Sequence, residues 1–359
     1  MRLDLVDGMR GHLLIGMLIA HISMMPGLAV LGNFHHHRLI GLYDAEFFVP
    51  ISGFIIGYLY TERLRTTAKF YDFLNTRLVT IYKYYLLSAV PFLIGQMFVA
   101  GASLQWLVLD VAVMKEGGSY SDILPIYFYC FIILYALFWV VPRRGFSIPM
   151  AVSGAIYVAS QASYSTGMFG LGGRFIVFDI AAWQFLFMIF LWVGARWREA
   201  LACIRILSAE KYLAAIVGLA VLIAYGRFST YYPTPFPPTV APGIPWPRLQ
   251  LHPFYLVQIL AVCALLCAIF CRPCGVLAVP NGVMRWYFSM PWLRNVGRFS
   301  IQMFTLHVFI IAMMHRIEGR VSDAQFMLVA LISLGAFIVI PSAWIIAKKA
   351  RVARRAIVT

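Results

Sequence analysis

The chain has 359 residues, of which 62% are hydrophobic, 16% aromatic and 12% charged, with a formal net charge of +15 at pH 7. That composition excludes a soluble domain and identifies a polytopic membrane protein. The cations are spread over short hydrophilic stretches between apolar runs, which argues against a nucleic-acid partner and for contact with anionic lipid. Six cysteines are too few and too badly placed for a disulfide framework, and no metal is expected. Cys263, Cys267 and Cys271 recur every four residues as an apolar stripe, with Cys274 just beyond.

Apolar runs long enough to span a bilayer fall near 11–31, 45–61, 79–100, 122–141, 147–164, 178–197, 211–226, 253–271, 295–315 and 324–347. They predict an all-α bundle of about ten transmembrane helices, in one transmembrane domain over 1–359. The apolar run at 104–114 is too short to cross and is placed at an interface. The first run is not followed by a small-residue cleavage site and is expected to be kept. With the N-terminus cytoplasmic, only Arg38, Lys115, Arg174, Arg227, Arg248, Arg316 and Arg320 of the 29 cations face outward. The positive-inside rule therefore puts both termini in the cytoplasm, with a basic tail at 348–359.

The first helix carries Asp7, Arg10 at its mouth and His21 at its expected middle. Eleven residues separate Arg10 from His21, about three turns and roughly 16 Å, so both leave nearly the same face and the histidine lies near the midplane of a roughly 30 Å core. An ionisable group at that depth is a functional candidate, the plainer alternative being a histidine satisfied by a backbone carbonyl. His35, His36 and His37 read as a solvated outer loop, the alternatives being adventitious metal binding or contact with the acceptor. The second helix enters from outside behind Asp44 and Glu46, and Pro50 frees backbone groups near Ser52 and Gly53. Ser52 and bare backbone there can polarise a reacting carbonyl, while Gly53 and Gly57 suit close helix packing. Arg77 and Lys83 follow on the inner side, with Arg294 and Arg298 at the start of the ninth helix and His307 within it. Converging arginines can hold phosphates bidentately. His307 is either a second proton-handling residue or a packed helix histidine. Trp183 and Gln184 stand near the outer end of the sixth helix, where they can meet a glycan. The outer loop 227–252 is rich in proline and aromatic residues, a stiff cover that either stacks on sugar rings or anchors at the interface.

Several of these stretches resemble a known family. Arg10 with His21, Phe48-Val49-Pro50-Ile51-Ser52-Gly53-Phe54, the basic segment before an aromatic third helix, and Gly297-Arg298-Phe299-Ser300 leading to Phe304 and His307 resemble the acyltransferase-3 superfamily. Ala45-Glu46-Phe47-Phe48-Val49, Leu124-Pro125-Ile126-Tyr127, Ala182-Trp183-Gln184-Phe185-Leu186-Phe187 and Leu306-His307-Val308 resemble its OpgC branch, the osmoregulated periplasmic glucan succinyltransferases. The resemblance implies an enzyme of the bacterial inner membrane that takes an acyl group, succinyl or acetyl, from cytoplasmic acyl-CoA to a periplasmic or exported glycan. It implies His21 as catalytic base, and Arg10 with the basic residues near Arg77 as holders of the donor. Beside it, the residues nominate Glu46, Ser52 and His307 for chemistry, Lys83 and Arg298 for the donor, and Asp44, Trp183 and Gln184 for the acceptor. No permanent cofactor is expected, acyl-CoA being a substrate; the other partners are a glycan and membrane lipid, and a homo-oligomer is compatible. A glycan or lipid transporter or flippase, or a structural membrane subunit, stands as the alternative.

Overall fold

The computed structural model describes residues 4–64, 66–97, 104–114, 120–166, 178–231, 248–272 and 275–358. Among them the regular structure is helical, with no strand. The helices of eight or more residues are α1 (Asp4–Ile22), α2 (Ala45–Glu62), α3 (Thr67–Met97), α4 (Leu104–Ala112), α5 (Ile123–Leu137), α6 (Ser147–Thr166) and α7 (Ile180–Ala195). They continue as α8 (Trp197–Ile206), α9 (Ala209–Tyr231), α10 (Pro253–Cys271), α11 (Ala278–Phe288), α12 (Pro291–Arg298), α13 (Ser300–Ile317) and α14 (Asp323–Val358). Every apolar stretch named from the sequence overlaps a helix. Six helical segments are long and apolar enough to cross a membrane, or seven if α7 and α8, which meet at 77°, form one broken span. Most of the proline-rich stretch, residues 232–247, lies outside the described residues, as does Cys274.

The first helix departs from expectation at both ends. It begins at Asp4 and stops at Ile22 rather than running to 31, so His21 sits in its last turn and not at its middle. Pro26 is the physical reason, since proline neither donates to a helical ladder nor tolerates a helical residue before it. The turn tightens through Met24 N–H to the His21 carbonyl and Met25 N–H to the Ile22 carbonyl. Gly27 then adopts a positive φ of 78°. Pro50, by contrast, leaves α2 helical on both sides.

The chain gathers into two compact units, residues 1–38 with 279–359, and residues 39–278. In the first, α12 crosses α1 so closely that a Cβ at Gly297 would stand 1.7 Å from the Asp7 carbonyl oxygen. The same crossing brings Gly11 against the Leu293 carbonyl. The C-terminal helix α14 joins this unit through Asn295 Nδ2, which donates to Ser342 Oγ at 3.0 Å, and through Trp344 edge-on to Phe299.

In the second unit α2 and α7 are in backbone contact. A Cβ at Gly53 or Gly57 would lie 2.3 or 2.0 Å from the carbonyl oxygens of Phe187 and Leu191. Small residues four apart permit this approach between membrane helices, as the sequence predicts for these two glycines. Past their C-termini, Glu62 accepts from Trp197 Nε1 at 3.1 Å and pairs with Arg198 at 2.9 Å. These contacts hold the start of α8 at the bend. Arg272 fixes its other end by donating to the carbonyls of Ile204 and Leu207. Tyr60, Phe70 and Phe138 form an aromatic core nearby, with Phe70 and Phe138 centroids 4.1 Å apart.

Candidate functional site

In the first unit α1 and α13 both leave a charged end and run to a pair of histidines. At the charged end Arg294 bonds Asp4 at 2.6 Å, and Arg298 lies 3.6 Å from Asp4 and 3.8 Å from Asp7. Asp4 and Asp7 stand in the first turn of α1 and Arg298 in the last turn of α12, where each charge suits its helix dipole. Arg10, one turn further along α1 from Asp7, is half-buried. Seven residues past the start of α13, roughly 10 Å at the helical rise, His307 is fully buried. Its Nδ1 donates to the Phe304 carbonyl at 2.7 Å, and its Nε2 lies 2.9 Å from His21 Nδ1. The two rings lie side by side, their centroids 5.1 Å apart and their planes 26° from parallel. The structure thus brings Arg10, Arg298, His21 and His307 into one unit and gives His307 contacts with both a backbone carbonyl and His21.

A second histidine cluster lies on the same unit. The segment after α1 folds back over it, so that His36 comes within 5.2 Å of His12 between ring centroids. His35 is buried and stacks on His36 at 4.2 Å, while His37 Nδ1 stands 3.0 Å from His35 Nδ1. His12 Nδ1 meets the Tyr287 hydroxyl at 3.0 Å. The solvated outer loop expected for this triplet is therefore corrected: ending α1 at Ile22 leaves enough chain to return along the helix.

In the second unit Glu46 is completely buried at the start of α2. Arg248 pairs with it through Nε, and the Tyr255 hydroxyl donates to Oε1 at 2.6 Å. The guanidinium lies over the Tyr43 ring at 4.5 Å and the Phe178 ring at 5.5 Å. Burial opposes the Arg248 charge, but the Glu46 carboxylate outweighs it and raises its pKa further. With its oxygens engaged by a cation and a hydroxyl, Glu46 is an anchor for Arg248. Asp44, also buried, precedes α2, and its carbonyl accepts from Phe47 and Phe48 N–H.

Trp183 and Gln184 are likewise fully buried, so neither presents a surface to a glycan in this structure. Trp183 Nε1 donates to the Leu249 carbonyl at 3.0 Å; Gln184 accepts from Ser153 Oγ at 2.6 Å and donates to the Ser153 carbonyl at 2.9 Å. With Tyr157 O–H to the Leu251 carbonyl and Gln161 Nε2 to the Gln250 carbonyl, Trp183 pins the turn leading into α10, while Gln184 ties α7 to α6. Ser52 is half-buried on α2, and Arg77 and Lys83 are exposed on α3, with Arg77 over the Phe73 ring at 5.3 Å.

Arg248, Tyr255 and Asp4 escaped the sequence reading. The signal for Arg248 was present: a carboxylate entering the bilayer needs a cation from the same side, and few were available there. Asp4 was hidden because the first helix was started seven residues too late. No curated protein and no solved structure matches the chain. Its sequence matches the OpgC protein family over residues 2–351, nearly its whole length, and it belongs to that bacterial family of glycan-modifying acyltransferases.

Proposed function

We propose that the protein is an inner-membrane O-acyltransferase that moves a succinyl or acetyl group from cytoplasmic acyl-CoA to a hydroxyl of a periplasmic or exported glycan. The reading is carried by the contact of His21 Nδ1, in the last turn of α1, with buried His307 Nε2, midway along α13, at 2.9 Å. Ten spans with both termini cytoplasmic put the charged end of α1 at the inner surface, where CoA is available. Arg10 and Arg298 hold the donor phosphates there, with Arg77 and Lys83 adding positive charge on α3. The pantetheine arm follows α1 inward over roughly 16 Å, which sets the thioester beside His21. As the glycan hydroxyl oxygen attacks the thioester carbonyl, His21 takes its proton; the C–S bond then breaks and the thiolate leaves as CoA thiol on receiving that proton.

The test is a sided assay. Protein in liposomes receives labelled succinyl-CoA or acetyl-CoA on the Arg10 side, with a periplasmic glucan enclosed on the other. Label appears on the glucan with wild type, and falls at least about 100-fold in His21→Ala, the range for removal of a general base. Folded wild-type protein that consumes neither thioester overturns the assignment.

A further inference from the structure

We infer that His307 is a positioning residue that fixes His21 in one tautomer, with Nδ1 protonated and Nε2 as the basic nitrogen; this rests on the acyltransferase reading for its catalytic consequence. The argument begins at the far end of the chain of contacts. A carbonyl oxygen only accepts, so the 2.7 Å contact with Phe304 requires a hydrogen on His307 Nδ1. A neutral imidazole bearing that hydrogen keeps its lone pair on Nε2, and an uncompensated second proton on a fully buried ring would be costly. Nε2 of His307 therefore accepts across the 2.9 Å contact, and His21 Nδ1 donates. The lone pair of His21 is thereby assigned to Nε2. A helix carbonyl thus sets the protonation pattern of a ring on another helix, through two hydrogen bonds that point the same way.

The arrangement does what a carboxylate does behind a catalytic histidine, without the buried negative charge. When His21 Nε2 takes the hydroxyl proton, Nδ1–H becomes a stronger donor and its bond to His307 Nε2 strengthens with it. The proton is returned from Nε2 to the departing sulfur, and His307 neither gains nor loses one. Left to itself, His21 would sample both tautomers, and a ring with Nε2 protonated cannot accept the hydroxyl proton there.

Two variants separate this from mere packing. In His307→Gln the amide oxygen can accept from His21 Nδ1 and the amide N–H can donate to Phe304. In His307→Leu the volume is retained without either bond. The full chain in lipid nanodiscs, labelled with nitrogen-15 histidine, gives the His21 tautomer once the spectrum of His21→Asn has been subtracted. Wild type and His307→Gln show Nδ1–H with bare Nε2, and His307→Leu shows a mixture of tautomers. Turnover of succinyl-CoA or acetyl-CoA falls about 100-fold in His307→Leu with the donor KM unchanged, and His307→Gln stays within about tenfold of wild type. A wild-type His21 protonated on Nε2, or a His307→Leu protein with the wild-type tautomer or turnover, overturns the proposal. If wild type shows Nδ1–H and responds to His307→Leu, yet turns over neither thioester, the tautomer assignment stands and the acyltransferase reading falls.

Discussion

Glu46 and Arg248 define a buried charge that neither residue can carry alone. Removing one member of such a pair leaves the other desolvated and unmatched, at about 3–5 kcal/mol, while replacing both by apolar groups is often close to neutral. Arg248→Met is expected to lower the thermal midpoint sharply, and the double variant Glu46→Leu with Arg248→Met to recover most of the loss. Thermal unfolding of all three proteins in one detergent checks this. His252 offers a pH-dependent counterpart in the same turn. Its ring accepts from Phe254 N–H at the start of α10, and burial lowers its pKa from 6.5. The native state therefore binds fewer protons here than the unfolded chain. The stabilisation by the cap is complete above about pH 6.5 and is lost as the pH falls through the lowered value. Once the pH lies below the lowered pKa of His252, the Phe254 amide is expected to exchange faster in wild type than in His252→Asn, whose side chain caps without titrating. Amide exchange on both proteins in a pH series from 8 downward reads it, the two rates converging at the upper end.

Between elements, backbone contact decides what the helices tolerate. Gly57→Ala puts a methyl 2.0 Å from the Leu191 carbonyl oxygen, a clash that flexible side chains cannot relieve. Separating α2 from α7 to admit it is expected to cost about 1–3 kcal/mol or more, seen as a lower thermal midpoint. Gly218→Ala, on α9 with nothing near its missing Cβ, is the control and stays near wild type. Gly53 and Gly57 were legible because their four-residue spacing is local, whereas their partner surface on α7 was not, because it depends on a contact over more than a hundred residues. The end of α1 was misread for a different reason: hydropathy runs smoothly through Pro26, and only backbone chemistry stops the helix there. At the charged end the same limit applied, since Arg298 was legible as a cation but its neutralisation by Asp4 and Asp7 was not. Under the proposed function, Asp4, which pairs with Arg294 and Arg298, would compete with donor phosphate for them. Asp4→Asn is expected to lower the donor KM severalfold with kcat little changed, in the sided liposome assay.

For the whole molecule, composition alone carried the class, since so apolar a chain has no soluble core to build. The first 38 residues joining the last eighty in one unit was beyond any local pattern. The histidine pair crosses that same gap: His21 and His307 each looked like an isolated intramembrane histidine, and only the fold supplies their contact. Topology rests on which helices cross. The nine residues of α4 span about 14 Å, less than half of a roughly 30 Å core, and α8 turns 77° away from α7. Neither adds a crossing. At the other extreme the 36 residues of α14 reach about 54 Å, so once its apolar part has crossed, the basic end projects well beyond the core. The ten crossings expected from the sequence would return that end to the side on which α1 begins. Fluorescent protein fused after Thr359 is therefore expected to fluoresce in the cytoplasm, and alkaline phosphatase fused within 227–252 to be active in the periplasm. If α4 crossed as an eleventh span, every later fusion would invert, the C-terminal fusion would go dark, and the basic tail would face the side from which the positive-inside rule excludes it.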